Sequence, residues 1–389
     1  MGSYSQLTIA DYPIFENKNW YFEEIINHLF QQDDYKSIAR NNSSRNKIVW
    51  GDAFDNDHDI YEFKGYHQTV KVCRQRLEIY GMSYEKAKAD FAKAKLISKQ
   101  EEIYGFSLQK ITYAQYLLEV QQIIESQKKG YDEFYTNLKD SLIIGNLGIY
   151  GQSLAYHLYS ILSVLPDDAV IEYDFSEVIE GGWVKEEQAL KIDYEKIIIL
   201  TEGKTDVEFI SKSIQKLYPH LVEYYHFIDF SEHNVESNAS ALVKLILSFA
   251  AANVKHPVIA LFDNDTTGLM EMKKLVAKAL PDNIKVLRYP DISLAKKYPT
   301  IGPTGNKRVN VNGMACGIEM YLGIDVLTLK GEFIPIQWKG YNERENKYQG
   351  EIAQKLYVQE EFRKKIKSDR LGDFDEMDLL LNKIFCAYR

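Results

Sequence analysis

Between about residues 66 and 165, apolar residues recur at helical spacing. In residues 111–127, Tyr116, Leu117, Val120, Ile123 and Ile124 fall on one stripe, as a helix with one buried face requires. Residues 84–95 are rich in Ala, Lys and Glu, and Ser83 just before them suits an N-cap. A third apolar helix, 154–165, stops at Pro166-Asp167-Asp168. The stretch before these helices, residues 1 to about 75, reads as β-rich and irregular, and Ser5-Gln6-Leu7-Thr8-Ile9 alternates like a short strand. After them the pattern changes. Residues 170–175 read as a strand and Gly181-Gly182 as a turn. Strand-like 196–200, 225–230 and 258–262 are then followed by helix-like 206–218, 239–252 and 269–279, and strand-like 284–288 closes the series. Alternation of this kind predicts a parallel sheet flanked by helices, an α/β domain over 193–325. A mixed α+β domain over 1–192 precedes it. A short extension over 326–389 follows, with a strand at 333–338 and helices near 351–367 and 376–388.

A chain of 389 residues is long enough for two or three domains at roughly 100–200 residues each. With 45% hydrophobic and 26% charged residues it can bury cores, which excludes global disorder. The net charge of -9 argues against a protein that coats DNA without specificity, because phosphate binding needs clustered Lys and Arg. A metal site, by contrast, demands acids. Two basic clusters stand out, Lys307-Arg308 and the run Arg363-Lys364-Lys365-Ile366-Lys367, the second reading as a solvated helix face. Cys73, Cys316 and Cys386 lie far apart and form no CxxC pair, which fits a reducing cytoplasm better than a disulfide framework or a zinc ribbon. There is no signal pattern at the N-terminus and no run of about 18 apolar residues, so no membrane span is expected. Acidic residues 51–57 lack calcium-loop spacing and read as a solvated turn.

The chemistry concentrates at two strand ends. Apolar Ile197-Ile198-Ile199-Leu200 runs into Thr201-Glu202-Gly203-Lys204-Thr205-Asp206. Apolar Val258-Ile259-Ala260-Leu261-Phe262 runs into Asp263-Asn264-Asp265-Thr266-Thr267-Gly268. Ligands of parallel α/β sheets collect outside the carboxyl ends of the strands, where both motifs should sit. Two carboxylates at i and i+2 of extended chain point the same way, and Glu202 can face them from the other strand. Mg²⁺ suits such a set, because a hard cation takes carboxylate oxygens and keeps waters for substrate phosphates. Gly203 and Gly268 let backbone approach a phosphate closely.

The pair of motifs, Glu202-Gly203-Lys204-Thr205-Asp206 and Asp263-Asn264-Asp265, resembles the Toprim domain of primases, topoisomerases, recombination proteins and OLD-type nucleases. The resemblance covers about a third of the chain. It implies that Glu202 is the general acid/base, that Asp263 and Asp265 hold Mg²⁺ or Mn²⁺, and that Asp206 supports the site from the first helical turn. Nuclease-type Toprim domains often carry a late acid, for which Glu319 in Gly317-Ile318-Glu319-Met320-Tyr321-Leu322 is the candidate metal ligand. Asp229 is a weaker one. Lys307 and Arg308 could neutralise substrate phosphate. The opening Met1-Gly2-Ser3-Tyr4-Ser5, with Leu7-Thr8-Ile9 after it, resembles the N-terminal domain of bacterial HEPN/Toprim-associated proteins, which implies an antiviral defence setting and a recognition or partner role for residues 1–192. A Gly-Ser opening is also what a flexible terminus looks like.

None of the eight histidines has an arginine at the Arg-x4–6-His spacing of HEPN ribonucleases, and His67 and His157 read as packing or surface residues. Gly302-Pro303-Thr304-Gly305 is too short for a phosphate loop, so an ATPase is expected, if anywhere, in a partner. The expectation is a metal-dependent endonuclease acting on DNA or RNA. The rival is a non-catalytic Toprim module that binds nucleic acid or protein beside a partner ATPase. A topoisomerase would need large DNA gates, and a primase a zinc ribbon that is not found. Self-association stays open.

Overall fold

The computed structural model describes residues 2–130, 132, 134–228, 238–302, 305–368 and 372–389. Its chain divides into two compact units, Met1–Tyr194 with Tyr388–Arg389, and Glu195–Ala387. Among the described residues no helix is long and apolar enough to cross a membrane.

The first unit is built on an antiparallel sheet of β1 (Tyr4–Ile9), β2 (Tyr12–Lys18), β3 (Tyr35–Asn41), β4 (Ile60–Thr69) and β5 (Val170–Asp174), in the order β2-β1-β5-β4-β3. The last strand therefore inserts between the first and the fourth. Period-two patterning decides its faces. Leu7, Ile9, Tyr66, Ile171 and Tyr173 are buried in one core with the helices Val70–Ile79, Tyr84–Gln100, Tyr113–Ser126 and Leu154–Leu162. The opposite face carries Gln6, Thr8, Glu172 and Asp174. Ser83 caps its helix as expected, through the Lys86 N–H. Thr112 and Gln115 close a reciprocal capping box that starts the next helix at Tyr113. His157 is buried in this core, its Nε2 2.9 Å from the Asn146 carbonyl, and His67 lies on the outer face.

The second unit holds a parallel sheet of β6 (Ile197–Leu200), β7 (Tyr225–Phe227), β8 (Val258–Phe262) and β10 (Ile284–Arg288), in the order β10-β8-β6-β7. Every residue of β8 is buried, which is why it reads as an unbroken apolar run. Beyond β8, the two-residue β9 (Asn264–Asp265) pairs antiparallel with β13 (Ala315–Cys316). A second sheet has the order β12-β11-β16-β17, from β11 (Tyr298–Gly302), β12 (Gly305–Val309), β16 (Ile336–Asn342) and β17 (Lys347–Ile352), and β14 (Thr328–Leu329) pairs with β15 (Glu332–Phe333). The fold is mixed α/β with several sheets, one of them parallel.

The alternating segments appear where the pattern puts them, with shifted ends. The helix expected at 269–279 is Thr266–Val276, because Asp265 caps it and draws the Thr-Thr-Gly stretch into its first turn. The strand-like stretch 225–230 is β7 as far as Phe227, and residues 229–237, with Asp229, lie outside the described residues. In the tail, Phe333 belongs to the small hairpin and the longer strand is β16. Glu351 belongs to β17 rather than to the helix, which spans Lys355–Lys367. The polar composition of β17 hides its two-residue period.

Candidate functional site

β6 and β8 are parallel neighbours, with Leu200 beside Ala260, so their carboxyl ends deliver Glu202 and Asp263 to one place. The Asp263 N–H donates to Glu202 Oε1 across 2.8 Å. Gly268 lies against this contact. A Cβ there would sit 2.6 Å from the Asp263 carbonyl oxygen and 3.0 Å from Glu202 Oε1, so only glycine lets the helix start this close. Asp206 is buried in the first turn of helix Lys204–Leu217 and accepts hydrogen bonds from the Gly203 N–H and the Tyr289 hydroxyl.

Asp265 is extended, at φ -127° and ψ 179°, and caps helix Thr266–Val276 through the Gly268 N–H at 2.7 Å. Its Oδ2 accepts from Gln349 Nε2 at 2.6 Å. Between the two acids, Asn264 is fully buried. Its amide donates to the Pro290 carbonyl and Asp291, and its Oδ1 accepts the Gly313 N–H at 2.9 Å. Glu319 is 3% exposed, which rules out a surface helix-start role. Its Oε1 accepts from Gln359 Nε2 at 2.7 Å and lies 3.2 Å from Lys355 Nζ. A Cβ on Gly317 would lie 3.2 Å from Glu319 Oε2 and 3.4 Å from Asp263 Oδ2, so those two carboxylates flank one glycine. Asp263, Asp265 and Glu319 line a cavity of about 160 Å³ together with Lys339, Gln349 and Lys355.

The electrostatics follow from packing acids together away from water. Burial pushes Glu202 up to about 8, and the charges of Asp265, Asp206 and Glu271 add to it. Burial and then Glu319 push Asp206 up to about 7. Asp263 stands well above the usual carboxylate range through burial and the charges of Asp206 and Glu202, and burial also raises Asp265. Burial would lower Lys355, but Glu319 and Asp263 outweigh it and hold its ammonium above the ordinary value.

Asp263 Oδ1 is buried and has no hydrogen-bond partner among the described residues, and Glu271 Oε2 is in the same position. A buried, unpartnered carboxylate oxygen inside an acid cluster fits a hard cation. The side chains are not, however, drawn into a closed ligand set. Among the described residues no three His, Cys, Asp or Glu side chains converge to hold one ion. Glu202 faces the Asp263 amide and Asp265 faces Gly268 and Gln349.

Lys307 and Arg308 lie exposed on β12, opposite Thr300 and Pro299, and do not line the acidic cavity. The basic residues at the cavity are Lys339 and Lys355. The run from Arg363 to Lys367 is not a free patch either. Arg363 pairs with Glu208 at 2.7 Å, and Lys365 is buried against Asp325 at 2.7 Å. Gln349, Lys355, Gln359, Glu271 and Tyr289 carry no motif that the sequence alone could mark.

A buried cluster of acids at the carboxyl edge of a parallel sheet thus characterises the second unit. A family model described as HEPN/Toprim N-terminal domain 1 matches residues 1–196, more than half of the chain, and the chain belongs to that family. Its first unit is therefore of the HEPN/Toprim N-terminal type, which associates the chain with nuclease-type proteins. No curated protein and no solved structure matches the chain.

Proposed function

We propose that the chain is a Mg²⁺- or Mn²⁺-dependent Toprim nuclease that cleaves nucleic-acid phosphodiesters in the cytoplasm of a bacterium, in antiviral defence. One observation carries the reading: Asp263 Oδ1 is buried without a partner among the described residues, inside a cluster with Glu202, Asp206, Asp265 and Glu319. Asp263, Asp265 and Glu319 would hold the cation. The bound ion would neutralise charge on the scissile phosphate and ready a water for attack.

The chain's own groups supply the rest. Glu202, pushed up to about 8, holds a proton at neutral pH and can exchange it with an attacking water or a leaving oxygen. Gln349 and Gln359 orient Asp265 and Glu319. Lys355 stands beside Glu319 as a fixed positive charge that a phosphate can share. The substrate is DNA or RNA, and an ATPase is the partner expected to supply a trigger.

The rival reading is a non-catalytic Toprim module that acts with such a partner. The test is incubation of the protein with plasmid, single-stranded DNA and total tRNA, with Mg²⁺, Mn²⁺ or EDTA, beside an Asp263→Ala/Asp265→Ala variant. Metal-dependent cleavage that the variant loses supports the nuclease. Nucleic-acid binding with no cleavage, unchanged in Glu202→Gln, supports the module.

A further inference from the structure

A cavity lies in the first unit, far in sequence from the acidic motifs. Its volume is about 710 Å³, within the range of small-molecule sites. Its floor is the outer face of the antiparallel sheet. Gln6 lies opposite Asp174, and both Thr8 and His67 lie opposite Glu172, so these polar side chains share that face. Its other wall comes from the segment after β3, which contributes Arg45, Lys47 and Trp50.

Acids Asp11, Asp168, Glu172 and Asp174 and bases Arg40, Arg45 and Lys47 line this cavity. Arg40 and Glu172 satisfy each other in a two-pronged pair at 2.9 and 2.8 Å, with the guanidinium 3.7 Å above the Phe63 ring. That pair is a finished wall. Arg45 is not finished. Its guanidinium lies 3.9 Å from the Tyr61 ring centre and 5.1 Å from those of Trp50 and Phe54. Among the described residues its guanidinium makes one hydrogen bond, from Nε to Asn42 Oδ1 at 3.0 Å, and its charge acts on Asp174 and Tyr61, while its terminal nitrogens donate no hydrogen bond there. Asp174 presents a carboxylate from the central strand and shares its Oδ1 with the Ser176 N–H and hydroxyl.

We propose that this cavity binds a nucleoside phosphate. A flat base can stack on the Trp50 ring and on the Arg45 guanidinium, whose other face already covers Tyr61. Asp174 accepts from the amino group of a base, a feature that guanine, adenine and cytosine carry and uracil lacks. The terminal N–H groups of Arg45 take the phosphate, while the exposed Lys47 ammonium at the mouth, paired with Asp55 at 2.8 Å, adds positive charge nearby. A lone inorganic anion would leave the aromatic wall unused, and a lipid would meet a polar floor. The inference concerns the first unit alone and does not rest on the nuclease reading.

The test is titration of the full chain in EDTA with GTP, ATP, UTP and inorganic triphosphate, read by tryptophan fluorescence and calorimetry. The nucleotides should bind about tenfold or more tighter than inorganic triphosphate, since base stacking is lost in the latter. Arg45→Ala should weaken nucleotides about tenfold. Lys47→Ala, at an exposed side chain, should weaken them to a lesser degree. Asp174→Asn should erase the preference for GTP and ATP over UTP. Circular dichroism checks that each variant is folded. The proposal is overturned if inorganic triphosphate binds as tightly as the nucleotides, if no nucleotide binds below about 1 mM, or if folded Arg45→Ala and Lys47→Ala both keep wild-type affinity.

Discussion

The Asp263 amide donates to Glu202 Oε1 across 2.8 Å, so two motifs 61 residues apart meet in one hydrogen bond. A glutamine at 202 can accept the same bond through its amide oxygen but cannot carry a proton to or from a substrate. Glu202→Gln should therefore fold with this contact intact and lose about 10²–10⁴ of the cleavage rate. Cleavage assays beside a melting curve check both halves. A folded variant with wild-type cleavage would remove Glu202 from the chemistry.

The acid cluster makes stability depend on pH. Glu202 at about 8 and Asp206 at about 7 stand above their ordinary values of 4.5 and 3.8, so the folded protein keeps protons that the unfolded chain has released. Stability from this cluster is full below the ordinary carboxylate values and is lost as pH rises through 7 and 8. In EDTA the melting temperature of the second unit should fall between about pH 5 and about pH 9, and Mg²⁺ or Mn²⁺ should reverse the fall. A metal-independent profile, or one that rises with pH, would count against a cation at this site.

The first unit should respond in the opposite sense. Burial lowers His157 from 6.5 to about 4, so its neutral form is built into the fold. Its contribution is lost as pH falls from 6.5 towards 4, at most about 3 kcal/mol. Acid melting of His157→Gln, which can still donate to the Asn146 carbonyl, should lack that component. If the variant keeps the wild-type acid dependence, another group is responsible.

Gly268→Ala tests how tightly the helix start abuts the acids. The added methyl would meet backbone at 2.6 Å, where nothing can rotate away. A loss of about 1–3 kcal/mol is expected, with a cleavage defect larger than the stability loss explains because Glu202 must move. Melting and single-turnover cleavage separate the two effects. Unchanged cleavage in the folded variant would show that Glu202 tolerates displacement.

How far the sequence reveals this site depends on the kind of signal each residue leaves. β8 appears at 258–262 as read, because a buried parallel strand is an uninterrupted apolar run bounded by polar turns, and the edge strand β10 appears at 284–288 although Lys285 and Arg288 interrupt its apolar residues. Glu202, Asp206, Asp263 and Asp265 are legible because each stands at or just after the end of such a run. Gln349, Lys355 and Gln359 are not, since an amide or a lysine on an ordinary strand or helix looks like surface until β17 and its helix fold back onto the acids. The first sheet hides its order for a related reason. β5 pairs with β1 and β4 across long stretches of chain, and no local period encodes which strands it joins.

Asn264 gives the Asp-x-Asp pattern a middle that is not a blank. Its carboxamide is a donor toward Pro290 and Asp291 and an acceptor toward the Gly313 N–H, a division of labour only an amide can perform. An aspartate there would turn a donor into a third negative charge facing a carbonyl and a carboxylate, and a leucine would strand every partner. Variation at 264 is thus held in check by the neighbouring loops, and the spacing of the two acids is inherited from a residue that need never touch a ligand.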